Sequence, residues 1–155
     1  MKVPGEIESE IAEAGGADKF LRKLFSYRHP GPLMLPKRQA FNNVPPYPNW
    51  LYGEDVAYYR DKFTHTSFTG GLNYYRAINL NWELMAPWTG AHVNVPVKFI
   101  VGELDLAYLK PGVKEYVQGG GMKNNVSLLQ DVVILEGVAH FLQQEKPDLI
   151  SIRKF

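Results

Sequence analysis

Apolar positions follow one rule up to about residue 88 and another beyond it. In the first stretch they recur at helical spacing. Phe20, Leu21, Leu24 and Phe25 form a single stripe, which predicts a helix over Ala17–Tyr27. Asp55–Phe63 and Gly70–Asn79 read as two further helices, the first opened by Glu54 and Asp55, where acidic side chains suit a helix N-terminus. Arg28–Tyr47 holds Pro30, Pro32, Pro36, Pro45 and Pro46 and predicts no regular structure. In the second stretch the apolar residues come in short runs. Val97–Val101, between Pro96 and Gly102, predicts a buried strand, and Val132–Leu135, closed by Gly137, predicts another. A short helix is expected over Gly112–Val117, ended by Gly119, Gly120 and Gly121. A last one is expected over Lys146–Ile152, with Pro147 in its first turn, where proline is tolerated.

Strand–helix–strand–helix with unbroken apolar strands implies a parallel sheet covered on both faces. Two such strands alone would leave both edges open and bury little. The expectation is therefore one margin of a larger sheet whose remaining strands are not in this sequence.

Bulk composition removes several classes of function. The 155 residues are 45% hydrophobic and 21% charged, a normal balance for a folded domain. The net charge of +1 and the scattered basic residues offer no nucleic-acid surface. Lys19, Arg22 and Lys23, the densest basic group, read as a solvated helix face. Cysteine is absent, which excludes a disulfide scaffold, a thiolate nucleophile and Cys-ligated metal. No apolar run reaches membrane-spanning length and the first residues do not form a signal peptide, so a soluble, cytoplasmic protein is expected. Rings concentrate between Tyr47 and Trp88; composition alone favours a helical core packed with aromatics over a ring-lined pocket.

Polar residues at the two strand ends carry the chemistry. Gly102-Glu103-Leu104-Asp105 puts Asp105 at the carboxyl end of the first strand. Glu136-Gly137-Val138-Ala139-His140-Phe141 puts His140 in the loop after the second. Ligands and reacting groups gather at that edge of open α/β sheets. Each residue alone is ordinarily a cap or loop residue; together, an acid then a histidine repeat the order of α/β-hydrolases, in which the acid orients an imidazole that acts as base. His29, His65 and His92 lack such a context, and no pair of histidines has metal-ligand spacing on one helix face. No Gly-x-Ser-x-Gly occurs, so the nucleophile is expected outside this sequence.

Longer segments carry a resemblance to a family. Phe68-Thr69-Gly70-Gly71-Leu72-Asn73-Tyr74-Tyr75-Arg76-Ala77, Asn81-Trp82-Glu83-Leu84 and Ala86-Pro87-Trp88-Thr89-Gly90 resemble the cap-to-core passage of plant soluble epoxide hydrolases. Val97–Leu106 and Leu135–Phe141 resemble that family's acid and histidine motifs, and Val3–Glu8 its mid-cap segment. The resemblance implies an α/β-hydrolase fold, with residues 1–88 as the helical cap portion and 89–155 as the C-terminal part of the core, its last strands and helices. It implies Asp105 as the acid, His140 as the base that activates water, and Tyr75 as one of two cap tyrosines that hydrogen-bond the epoxide oxygen. Trp82 and Phe141 would line the substrate pocket.

No cofactor and no metal are implied. The substrate would be a small apolar epoxide, fatty-acid epoxides being the family's usual class, and the product a vicinal diol formed through an alkyl-enzyme ester. The nucleophilic aspartate, the oxyanion-hole loop and the other cap tyrosine are expected on an N-terminal half present as a separate chain, without which this chain would be inactive. The family's final helix also runs several residues further. Two other readings stand beside this one: a hydrolase-derived binding or storage protein without turnover, and a haloalkane dehalogenase, against which Tyr75 in its Asn-Tyr-Tyr-Arg setting speaks.

Overall fold

The computed structural model describes residues 3–30 and 44–152. Residues 31–43, in the proline-rich stretch, and the last three residues lie outside the described residues. The chain divides into two compact units, Met1–Ser26 with Leu33–Pro87, and Tyr27–Pro32 with Trp88–Phe155.

The first unit is helical: α1 (Glu6–Glu13), α2 (Gly16–Phe25), α3 (Gly53–Thr66), α4 (Thr69–Arg76) and α5 (Ile78–Met85). Helix α2 forms because its stripe has something to bury against: Leu21 and Phe25 are buried, together with Ile11 and Ala14 at the end of α1 and Val56 of α3. Rings complete this core. Phe68 stacks on Phe63 at 4.5 Å between centroids and meets Phe20 edge-on at 4.8 Å. Phe25 packs against Tyr59 at 5.4 Å and Trp50 at 6.0 Å. Arg22 is less solvated than its helix-face reading. Its guanidinium pairs with Asp18 at 3.0 Å and lies 4.6 Å from the centre of the Tyr47 ring. The Tyr47 hydroxyl donates to Asp18, and burial, with the Asp18 charge behind it, pushes the phenol's pKa up.

Two helical details depart from expectation. Gly70–Asn79 is not one helix: α4 ends at Arg76, and α5 starts at Ile78 after a turn at Ala77, whose N–H still bonds to the Asn73 carbonyl. Alanine is the best helix former, so propensity cannot mark a bend there. The N-terminal α1 had no strong pattern of its own, with only Ile7 and Ile11 on one face, and it is held by its partners. Glu8 accepts two hydrogen bonds from the Arg76 guanidinium, at 3.1 and 2.9 Å, and one from the Gly5 N–H. The Arg76 guanidinium holds the Glu8 carboxyl down to about 2.

The second unit holds a two-stranded parallel sheet. Strand β1 (Val97–Gly102) pairs with β2 (Leu129–Leu135), from Lys98 beside Asp131 to Gly102 beside Leu135. Strand β2 starts three residues before the expected run, because Leu129, Gln130 and Asp131 continue the ladder without being apolar throughout. Both faces are covered, as a parallel pair requires. Val133, Leu135 and Ile100 pack with Val138, Leu142 and Ile150 on one face; Phe99, Val101, Val132 and Ile134 pack with Tyr108, Val117 and Met122 on the other. The covering helices are α6 (Val113–Gln118), α7 (Leu142–Glu145) and α8 (Pro147–Ile152). Among the described residues no third strand joins this sheet. No helix among them is long and apolar enough to cross a membrane.

Candidate active site

The two strand ends meet because one residue between them has no side chain. Gly102 ends β1, and a Cβ there would sit within 2.5 Å of the Val138 and Ala139 carbonyl oxygens. Only glycine lets the loop after β2 lie across the end of β1. The crossing is tied by main-chain bonds: Glu103 N–H to Leu135 O and Leu104 N–H to Val138 O, both 2.9 Å. Gly137, at φ 66°, makes the left-handed turn that sends the loop back over the sheet.

Asp105 follows immediately and turns inward, its side chain 8% exposed. One carboxylate oxygen accepts the N–H groups of Ala107 and Tyr108, at 2.6 and 3.1 Å. The other lies 2.7 Å from Nδ1 of His140. A carboxylate can only accept, so Nδ1 donates, and Nε2 is left as the basic nitrogen of the ring. Both Asp105 carboxylate oxygens are thus engaged, while the His140 side chain is 47% exposed. A buried acid fixing the tautomer of an accessible imidazole is the arrangement a general base needs.

The pair opens on a cleft of about 630 Å³, lined mostly by apolar groups that include Phe99, Val101, Tyr108 and Phe141. The Phe141 ring stands edge-on to the imidazole at 5.2 Å. Behind the cleft the Tyr108 hydroxyl accepts from the Gln118 amide at 2.9 Å. Asp105, His140 and Phe141 are therefore brought together within the second unit. Tyr75, on α4, and Trp82, on α5, belong to the first unit, where they are 60% and 75% exposed. Many of the rings expected in a packed core share that exposure, among them Tyr74 and Trp88. No cluster of three His, Asp or Glu side chains among the described residues is arranged to hold a metal ion.

Three residues of this site were not visible from their own positions. Arg28 donates to the Gly137 carbonyl at 2.8 Å and to Glu145 at 2.5 Å; the other Glu145 oxygen accepts the Ala139 N–H at 3.0 Å. Glu103 accepts the Gly137 N–H at 2.9 Å. Arg28 stands over a hundred residues from its partners in a proline-rich stretch, so no local spacing signals it.

A parallel sheet with an acid and a histidine at successive strand ends places the chain with the α/β-hydrolases. Within that class its relatives are the plant epoxide hydrolases, and it corresponds to their C-terminal half. It is 49% identical to epoxide hydrolase 2 of Siraitia grosvenorii, over 96% of this chain and 48% of that protein. It is 36% identical to epoxide hydrolase A of Mycobacterium tuberculosis, over 67% of this chain and 30% of that protein. Among solved structures, epoxide hydrolase I of potato (Solanum tuberosum) superimposes with a TM-score of 0.88 at 53% identity, covering 97% of this chain and 48% of that one. The chain thus spans about half the length of the plant relatives it matches. No protein-family model matches it.

Proposed function

We propose that this chain is the acid–histidine half of an epoxide hydrolase. The observation that carries the reading is the 2.7 Å bond from His140 Nδ1 to a buried Asp105, itself held by two backbone N–H groups, at the mouth of an apolar cleft. Identity near 50% to plant epoxide hydrolases supports it.

The chemistry runs in two steps. A carboxylate from the N-terminal half attacks an epoxide carbon, forming an ester C–O bond as the epoxide C–O bond breaks. The electron pair goes to the epoxide oxygen, which takes a proton from a phenol, Tyr75 being the donor in this chain. Water then loses a proton to His140 Nε2 and attacks the ester carbonyl; as the acyl C–O bond breaks, the departing oxygen takes the proton of the new carboxyl group, so the diol leaves and the carboxylate is restored. Asp105 stabilises the imidazolium formed in that second step. The imidazolium gives up its proton and the phenolate regains one through solvent, so the cycle closes with net addition of one water. Phe141, beside His140, and Trp82 would hold apolar substrate, for which fatty-acid epoxides are the candidates.

Residues 1–88 would act as cap and 89–155 as core. They would work together with the nucleophile-bearing half of the relatives, and a cysteine-free composition fits a cytoplasmic setting. The test is purification under native conditions, with intact-mass analysis followed by an epoxide hydration assay. A nucleophilic aspartate present in the purified protein, on the same polypeptide or a second one, with diol formed, is the expected result. An assembly that contains that half and forms no diol would overturn the hydrolase reading, and apolar ligand bound without turnover would favour a binding protein.

A further inference from the structure

Glu145 has no part in the two steps above, yet its side chain is 7% exposed and carries a charge. A buried carboxylate costs stability unless it is paired and hydrogen-bonded. Here both oxygens are used, and both uses converge on the loop that presents His140. Oε1 takes Nη2 of Arg28, whose Nη1 holds the Gly137 carbonyl; Oε2 takes the Ala139 N–H, next to His140. Helix α7 is a single turn, and its Glu145 N–H bonds to the Phe141 carbonyl, so the turn folds the carboxylate back beneath the loop from which it has just emerged.

We propose that Glu145 and Arg28 are positioning residues for His140. The proposal rests on the reading of His140 as the base of the ester-hydrolysing step. Together with Glu103 on the Gly137 N–H and Leu104 on the Val138 carbonyl, the pair fixes successive peptide groups from Gly137 to Ala139. That leaves the His140 backbone little freedom, and the imidazole reaches Asp105 without paying to order its own loop. Arginine suits the task because its planar fork spans a carbonyl and a carboxylate at once, whereas a lysine ammonium is a single point donor.

The consequence is selective, because His140 acts only in the second step. In rapid mixing of epoxide with the protein joined to its nucleophile-bearing half, Glu145→Ala should form the alkyl-enzyme ester at the wild-type rate. It should hydrolyse that ester more slowly, by up to about 100-fold, the loss expected when a reacting group is misplaced by about 1 Å. Glu145→Gln keeps an acceptor for Ala139 and should recover part of the loss; Arg28→Lys should fall between the two. A merely structural role would lower both steps alike through the folded fraction. The second readout needs no turnover: in 15N-histidine-labelled protein the hydrogen-bonded Nδ1–H resonance of His140 should be sharp in the wild type and exchange-broadened in Glu145→Ala and Arg28→Lys. Unchanged ester hydrolysis with an unchanged imidazole resonance in folded variants would overturn the proposal, as would equal loss in both steps. Should Glu145→Ala not fold, Glu145→Gln and Arg28→Lys carry the same comparison. If the wild type forms no ester at all, the hydrolase reading falls, and the resonance alone decides whether the pair positions the ring.

Discussion

Replacing Gly102 by alanine puts one methyl group where the crossing of β1 and the His140 loop leaves none. The added carbon would approach the Val138 and Ala139 carbonyl oxygens to within 2.5 Å. Close carbon–oxygen contacts ordinarily lie at about 3.3–3.6 Å, so roughly 1 Å must be found. Neither oxygen can rotate away, since both belong to backbone. The loop must lift, stretching the Leu104 to Val138 bond and the His140 to Asp105 bond, now 2.9 and 2.7 Å. Overpacking costs about 1–3 kcal/mol and a lost hydrogen bond about 1 more, so a destabilisation of roughly 2–4 kcal/mol is expected. For a chain of this size that lowers the melting temperature by about 4–16 °C. Because the chain has two compact units, amide hydrogen exchange along β1 and β2 is the appropriate assay; it reads the second unit directly. Protection and melting temperature unchanged in Gly102→Ala would refute the reasoning that glycine is required there.

Other expectations follow from single contacts. Asp105→Asn keeps an oxygen for the Ala107 and Tyr108 N–H groups but offers an NH2 to His140, which inverts the tautomer and puts the proton on Nε2; the proposed ester hydrolysis should fall by about 10²–10⁴-fold, read as accumulated ester with little change in melting temperature. The Glu8 carboxyl is held at about 2 against an ordinary 4.5, so its contribution to stability is present above the ordinary value and is lost as pH falls through about 2. Acid titration of Glu8→Gln should lack that component, and identical acid profiles for variant and wild type would contradict the ion pair with Arg76.

What the sequence made legible is what short-range physics decides. Val97–Val101, apart from Lys98, and Val132–Leu135 are apolar because both faces of the strands pack against other side chains, and that pattern needs no tertiary knowledge. Asp105 and His140 were legible because strand ends are easily located and the order of acid and histidine is constrained. The bend at Ala77 was not legible, since the residue there favours helix. Nor was α1, whose sparse stripe buries Ile11 and whose Glu8 is held by Arg76 of α4. Arg28 and Glu145 escaped for a related reason. Their meaning arises where a distant segment, a one-turn helix and a loop converge, and composition carries no trace of that. Gly102 read as the end of a strand; its steric role emerges from the loop above it. Tyr75 owes its proposed role to family resemblance alone, since its neighbour Tyr74 looks the same by pattern.

The central claim is that His140 activates the water that releases the product. Its most direct test is intact-mass analysis of the His140→Gln protein, joined to its nucleophile-bearing half and mixed with an apolar epoxide. The expected result is a persistent mass increase equal to one epoxide in the variant, with the wild type showing only a transient increase and releasing diol. Diol released by His140→Gln at the wild-type rate, or no adduct in either protein, would contradict the account.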